Sequence, residues 1–340
     1  MSKFFKQTQK ANGRVPKQAR HENHVLEVEK LLKTIHQNVD EQVAGVEAES
    51  SIEAVLDFAR ESSAPNCAVA EFSSDDAPQV QISRESERVF FPDNGTTPAP
   101  PALEGYRSLR TRLLRLQVKR NFRTVAISSA GKGEGKTLTT LNLALCCAQL
   151  PEYPVLVIDG DLRGRGLSRL LGNPDVPGLS EMLAGQATRD DIVLATDIPN
   201  LYVVGAGNDA TPPPELFARA AWKEFAAWCK ESFDLVLIDA PPVLPLADFE
   251  LISGASESVM MVVRARVAQR DMLEKALAHI DPAKLLGATF NSVDHTDGFS
   301  YKYDYQYGTA TGQRSLLGRA RAAFDTTEKR KPTGGEPKGL

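Results

Sequence analysis

The sequence predicts an α/β fold, a doubly wound and mostly parallel sheet, from three observations. Thr124-Val125-Ala126-Ile127, Val155-Leu156-Val157-Ile158 and Leu235-Val236-Leu237-Ile238 are strand-like runs without polar alternation, the pattern of strands covered on both faces. Segments of helical character separate them, as strand–helix–strand crossovers require. Glycines, a lysine and aspartates follow the runs directly, at the carboxyl ends of the strands, where open α/β sheets bind ligands.

The elements follow in chain order. A helix over 102–118 turns Tyr106, Leu109, Leu113 and Leu116 toward one side. Glu104, Arg107 and Arg110 fall within about 120° of arc on the other. The strand at 124–127 runs into a glycine-rich loop and then a helix from Leu138 to Leu150. A strand over 154–159, a short helix starting Gly178-Leu179-Ser180-Glu181 and a strand from Leu201 to Val204 come next. One long helix is expected from Pro214 to Ser232, followed by strands over 234–239 and 258–264, a helix over 270–280 and a strand over 285–292. Residues 99–295 therefore read as one domain. Residues 1–98 differ in composition: Ala/Glu/Ser/Pro-rich stretches end in Thr96-Thr97-Pro98-Ala99-Pro100-Pro101. They read as a partly disordered extension with a Pro-rich linker. Residues 296–340 read as a tail, first tyrosine-rich and then basic.

The loop is Ala130-Gly131-Lys132-Gly133-Glu134-Gly135-Lys136-Thr137. It departs from the phosphate-loop pattern G-x-x-x-x-G-K-[ST] only at its first position, where Ala130 replaces glycine. Strand, loop and helix aim backbone N–H groups and a helix N-terminus at one place, which suits anionic oxygens. Lys136 would reach terminal phosphates and the Thr137 hydroxyl would ligate Mg²⁺. An ordinary glycine-rich turn is the plainer alternative, but it gives Gly-Lys-Thr before a helix no purpose. Downstream, one strand ends in Asp159-Gly160-Asp161-Leu162-Arg163 and another in Asp239-Ala240-Pro241-Pro242. A lone aspartate there is usually a turn residue or a helix cap. Three beside a phosphate loop can supply oxygens to magnesium. ATP and Mg²⁺ are thus expected, with Thr137, Asp161 and Asp239 holding the metal or its waters. If a phosphoryl group passes to a hydroxyl, as the resemblance given below implies, Asp159 is the candidate for orienting that hydroxyl and taking its proton.

The net charge of −4 over 340 residues argues against nucleic acid as a main partner. Basic residues concentrate in residues 1–20 and after Arg314, and such arms are more often solvated than bound. Cys67, Cys146, Cys147 and Cys229 lack metal-ligand spacing and fit a reducing cytosol. His21-Glu22-Asn23-His24 offers too few ligands for a zinc site. No apolar run approaches the ~18 residues of a membrane span. The expectation is a soluble cytoplasmic protein that reaches a membrane through a partner.

In content and order, these motifs over roughly 102–307 resemble the bacterial tyrosine kinase (BY-kinase) family linked to capsule and exopolysaccharide export. The segments carrying the resemblance are Ala130 to Thr137, Leu156 to Arg163 with its Asp-x-Asp-x-Arg, and Leu237 to Leu244 with its double proline. Gly178 to Gly185 and Leu286 to Asn291 sit where the family places them. The resemblance implies a P-loop core similar to MinD and ParA. It also implies nucleotide contacts from Ala130, Gly131, Lys132, Gly133, Glu134, Gly135, Lys136, Thr137, Leu138 and Asn291, with Lys136, Asp159 and Asp161 as catalytic residues. Glu104-x-x-Arg107-x-x-Arg110 resembles the motif by which the family closes a ring of subunits; otherwise it is a solvated stripe with local ion pairs. Tyr301, Tyr303, Tyr305 and Tyr307 resemble the tyrosine cluster that subunits phosphorylate on one another, although here a basic segment follows it. Implied partners are a ring-like homo-oligomer, a separate transmembrane activator or polysaccharide co-polymerase, and a tyrosine phosphatase. Implied location is the inner face of the cell membrane. The alternative is an ATPase switch of the MinD/ParA kind, without kinase activity. Those proteins carry a lysine directly after the loop's first residue, where this chain has Gly131.

Overall fold

The computed structural model describes residues 79–82, 86, 88–91, 101–172, 176–244 and 247–292. The tyrosine cluster at 301–307, both basic arms and His21 to His24 lie outside them. The elements in order are β1 (Gln79–Val80), α1 (Pro101–Arg120), β2 (Thr124–Ser129), α2 (Lys136–Cys147), β3 (Val155–Asp159), α3 (Gly166–Leu171), α4 (Leu179–Ala184) and α5 (Arg189–Ile192). They continue with β4 (Leu194–Thr196), β5 (Leu201–Val204), α6 (Pro213–Phe217), α7 (Ala220–Ser232), β6 (Leu235–Asp239), α8 (Ala247–Ala255), β7 (Ser258–Arg264), α9 (Arg270–Ala278) and β8 (Leu285–Asn291).

One eight-stranded sheet has the order β1-β4-β5-β3-β6-β2-β7-β8. Its pairings are parallel except β4 against β5. Both faces are covered, and the strands show how. On β2, β3 and β6, Ala126, Leu156, Ile158, Val236 and Ile238 enter the core on one face, with Phe217, Trp222 and Phe249. Their neighbours Val125, Ile127, Val155, Val157, Leu235 and Leu237 enter the core on the other, with Leu113, Leu141, Leu145 and Leu167. Apolar residues therefore run continuously because each face takes every second one.

Three features differ from the sequence reading. The long helix expected from Pro214 to Ser232 is two helices, α6 and α7, separated by an extended Arg219 (φ −71°, ψ 151°). Arg219 donates to the Leu183 carbonyl at 2.9 Å, and Phe217 packs edge-on against Trp222 with centroids 5.2 Å apart. Burying both rings decides the break, since aromatic pairs in a core outweigh one turn of helix. The short β4 and α5 were not expected, and neither were the helices α3 and α8. Finally, the segment expected to be an extension contributes β1 to the sheet edge, and Val80, Ile82 and Val89 to the core. Asn142 of α2 holds it by accepting from Phe90 N–H at 2.8 Å and donating to the Arg88 carbonyl at 3.0 Å.

On α1, Tyr106, Leu109 and Leu116 pack against the core as expected. Glu104 and Arg107 pair with each other. Arg110 donates to the Cys146 carbonyl at 2.7 Å, closing the last turn of α2, where a cation is favourable.

Candidate active site

The topology places β6 between β3 and β2, and the site follows from that. Asp239, the last residue of β6, is in register with Asp159 of β3 on one side and Ile127 of β2 on the other. Asp239 is thus central, with the Asp159–Asp161 turn on one flank and the phosphate loop on the other. All three carboxylates act electrostatically on Lys136.

Glycine permits the loop's shape. Gly133 and Gly135 have φ of +79° and +94°, where a Cβ is strained. Gly135 ends the loop just before α2, so Lys136 and Thr137 open the helix. From behind, the ends of β7 and β8 clamp the loop. Glu134, buried, accepts the N–H of Gly131 at 2.6 Å and that of Arg264 at 3.2 Å. Arg264 donates to the Gly133 carbonyl at 3.0 Å, and Asn291 to the Glu134 carbonyl at 2.9 Å. Glu134 therefore engages the protein through its side chain, and burial holds its carboxyl above the usual range, against the pull of those two N–H groups. A Cβ on Gly135 would lie 1.9 Å from Asn291 Nδ2. Gly135→Ala is expected to add about 1–3 kcal/mol of strain. That is roughly 5- to 150-fold in nucleotide affinity, readable by titration with a fluorescent ADP analogue.

Lys136 Nζ lies 2.9 Å from Asp161 Oδ2. Burial alone would lower the lysine's pKa, but Asp239, Asp161 and Asp159 outweigh it and hold it above the ordinary value, so the ammonium stays charged. Asp161 Oδ1 also accepts the N–H of Gly164 at 2.8 Å, fixing the turn. Asp159 and Asp239 are fully buried. Burial pushes Asp159 up to about 6, although Ser168's hydrogen bonds oppose it. Burial pushes Asp239 up to about 7, with Lys136 opposing and Asp159 adding to the rise.

Asp159 Oδ1 and both oxygens of Asp239 have no hydrogen-bond partner. The nearby Thr137 hydroxyl favours the Asp239 charge and opposes the rise. Buried carboxylate oxygens without donors are costly, and a hard cation removes the cost. Among the described residues no three His, Cys, Asp or Glu groups make a metal cage by themselves. That suits Mg²⁺, which takes one or two carboxylates and completes its shell with water and phosphate oxygens. The residues present fit it: Thr137, Asp161 and Asp239 would hold the ion or its waters.

Of the other expected contacts, Lys132 is exposed on the loop, Ala130 is buried and Leu138 packs against the core beneath α2. Three participants carried no sequence signal. Ser168 grips Asp159 through N–H and hydroxyl. Asp248, nearly fully buried on α8, takes Arg163 in a forked pair at 2.8 and 3.4 Å. Arg264 holds the loop through its backbone and its guanidinium. Each is a common residue at a position no motif marks; only the fold brings them near.

A glycine-rich loop closing on a helix N-terminus, a lysine at that terminus and three carboxylates at or just beyond strand ends define a P-loop NTPase. A family profile described as an AAA domain matches residues 122–285. The tyrosine-protein kinase YwqD of Bacillus subtilis is 31% identical over 216 residues, 63% of this chain and 90% of that protein. The chain belongs to the bacterial tyrosine-protein kinases. Wzc of Salmonella typhimurium, also a tyrosine-protein kinase, is 31% identical over 216 residues, but these make up only 30% of its length. The kinase domain of Escherichia coli ETK superposes with a TM-score of 0.56 at 25% identity, covering 68% of this chain and 94% of that domain. Among the described residues no helix is long and apolar enough to cross a membrane.

Proposed function

We propose that the chain is an ATP-dependent protein tyrosine autokinase that regulates capsule or exopolysaccharide polymerisation and export. Its substrate is the Tyr301, Tyr303, Tyr305 and Tyr307 cluster of a neighbouring subunit. The observation that carries this reading is the charged Lys136, held 2.9 Å from Asp161 at the mouth of the loop and flanked by the buried Asp159 and Asp239. Membership of the kinase family favours it over an ATPase switch.

Phosphoryl transfer has a loose transition state, so positioning and electrostatics supply most of the catalysis. Loop N–H groups and Lys136 would neutralise the β- and γ-phosphates, the ammonium exchanging Asp161 for phosphate oxygens. A magnesium ion held by Thr137, Asp161 and Asp239 would supply further charge neutralisation. The tyrosine oxygen bonds to the γ-phosphorus as the bond from that phosphorus to the bridging oxygen breaks, and ADP leaves. The phenolic proton passes to Asp159. At a phenol pKa of about 10 the hydroxyl is protonated at neutral pH, so a base is needed. Each phosphate adds about −1.5 to −2 charge, which would expel the modified tail from a carboxylate-lined site and loosen a ring closed by Glu104, Arg107 and Arg110. In this reading the catalytic domain runs to 295 and takes in the 79–91 segment that joins its sheet edge and core, and 296–340 is the substrate tail. A transmembrane activator and a tyrosine phosphatase complete the cycle at the inner membrane face.

Incubation with ATP and Mg²⁺ followed by an anti-phosphotyrosine blot tests it. The unaltered chain is expected to label itself, and replacing all four tyrosines with phenylalanine to remove most of the signal. Hydrolysis of ATP without tyrosine labelling would replace the kinase reading with the switch.

A further inference from the structure

The fold treats the two oxygens of Asp159 differently. Oδ2 accepts two hydrogen bonds from a single residue: the N–H of Ser168 at 2.8 Å and its hydroxyl at 2.7 Å. Oδ1 accepts none. The serine hydroxyl has little choice of direction. Its Oγ accepts the N–H of Ala206 at 2.8 Å, and its one proton is directed to the carboxylate. Ala206 lies in the turn after β5, which is itself pinned to α4. Leu179 N–H donates to the Gly205 carbonyl at 2.8 Å, and Ser180 N–H to that of Ala206 at 3.0 Å. A carboxylate gripped twice through one oxygen cannot rotate about its Cβ–Cγ bond without losing both contacts.

We infer that Ser168 is a positioning residue that holds Asp159 by Oδ2 and so leaves Oδ1, buried and without a donor in this structure, as the one carboxylate oxygen able to accept from the tyrosine hydroxyl. This rests on the kinase reading for the identity of the acceptor, but the grip itself does not. A serine that merely stabilised the fold would, when removed, lower nucleotide affinity and turnover together. A positioning serine affects turnover selectively, because a misplacement of about 1 Å can cost about 100-fold in rate.

Ser168→Ala is expected to lower kcat for tail phosphorylation about 10- to 100-fold. KM for ATP and Kd for ADP should change by less than about threefold. Ser168→Thr keeps both donors and should restore kcat to within about threefold of the unaltered protein. Ser168→Cys keeps the volume but donates weakly, and gives the same split should the alanine variant not fold. An unchanged kcat in Ser168→Ala, or equal losses of kcat and ADP affinity, would overturn the inference. A crystal structure of the same variant reads the geometry without any activity: the Asp159 carboxyl should be rotated, and an unmoved one refutes the grip. If the unaltered chain forms no phosphotyrosine, the kinase reading falls by itself, while the carboxylate rotation still decides the role of Ser168.

Discussion

Lys136→Met is expected to lower phosphotyrosine formation by about 10²- to 10³-fold while the chain stays folded. The size follows from what is removed. A charge preorganised over the phosphates of a loose transition state acts without reorganising, and one such donor is typically worth about 3–4 kcal/mol. Folding survives because the site can neutralise itself. Lys136 is the attractive charge that pulls Asp239 and Asp159 down against burial. Without it both acids rise further and take up protons rather than remain as uncompensated buried charges. Sedimentation and circular dichroism should match the unaltered protein, with ADP affinity reduced. Labelling within tenfold of the unaltered chain, from a variant that is folded and monodisperse, would remove Lys136 from the chemistry and the phosphate loop from the kinase reading.

The elements legible in the sequence are those whose pattern is local. Unalternated runs gave β2, β3 and β6, because covering both faces removes the polar alternation. The loop was legible because Gly133, Gly135, Lys136 and Thr137 each answer a backbone or charge requirement at fixed spacing. What stayed hidden depends on pairing between distant segments. β1 and β4 are only two and three residues long, and such pieces become strands only against an existing edge. The break at Arg219 depends on a ring pair and a carbonyl on α4. Ser168 is nine residues from Asp159, and Asp248 is 85 from Arg163, so no spacing rule reaches either. Glu134 is the instructive case. Its place in the loop suggests a ligand contact, but its carboxylate engages Gly131 and Arg264 instead. The ends of β7 and β8 thus shape the loop from behind.

Asp239→Asn is expected to stabilise the metal-free protein at pH 8 while abolishing magnesium-dependent labelling. Asp239 is wholly buried and its oxygens lack donors, and its pKa is pushed from 3.8 up to about 7. The sign follows from proton binding. In this interval the folded state holds a proton that the unfolded chain has released, so stability falls as pH rises from about 4 to about 7, then levels off. Each tenfold change in proton affinity corresponds to about 1.4 kcal/mol, which makes the ionised carboxylate cost about 4 kcal/mol. Asparagine removes that charge but leaves a buried amide that costs about 1–3 kcal/mol if unpaired. The net gain is about 2 kcal/mol, roughly 4–8 °C in melting temperature for a domain of this size. At pH 4 the gain should vanish or reverse, because the native carboxyl is already neutral there. Mg²⁺ with ADP should raise the melting temperature of the unaltered protein and leave the asparagine variant nearly unmoved. A destabilised variant at pH 8, or one that still responds fully to the metal, would mean that Asp239 is satisfied by the protein and plays no part in holding a cation.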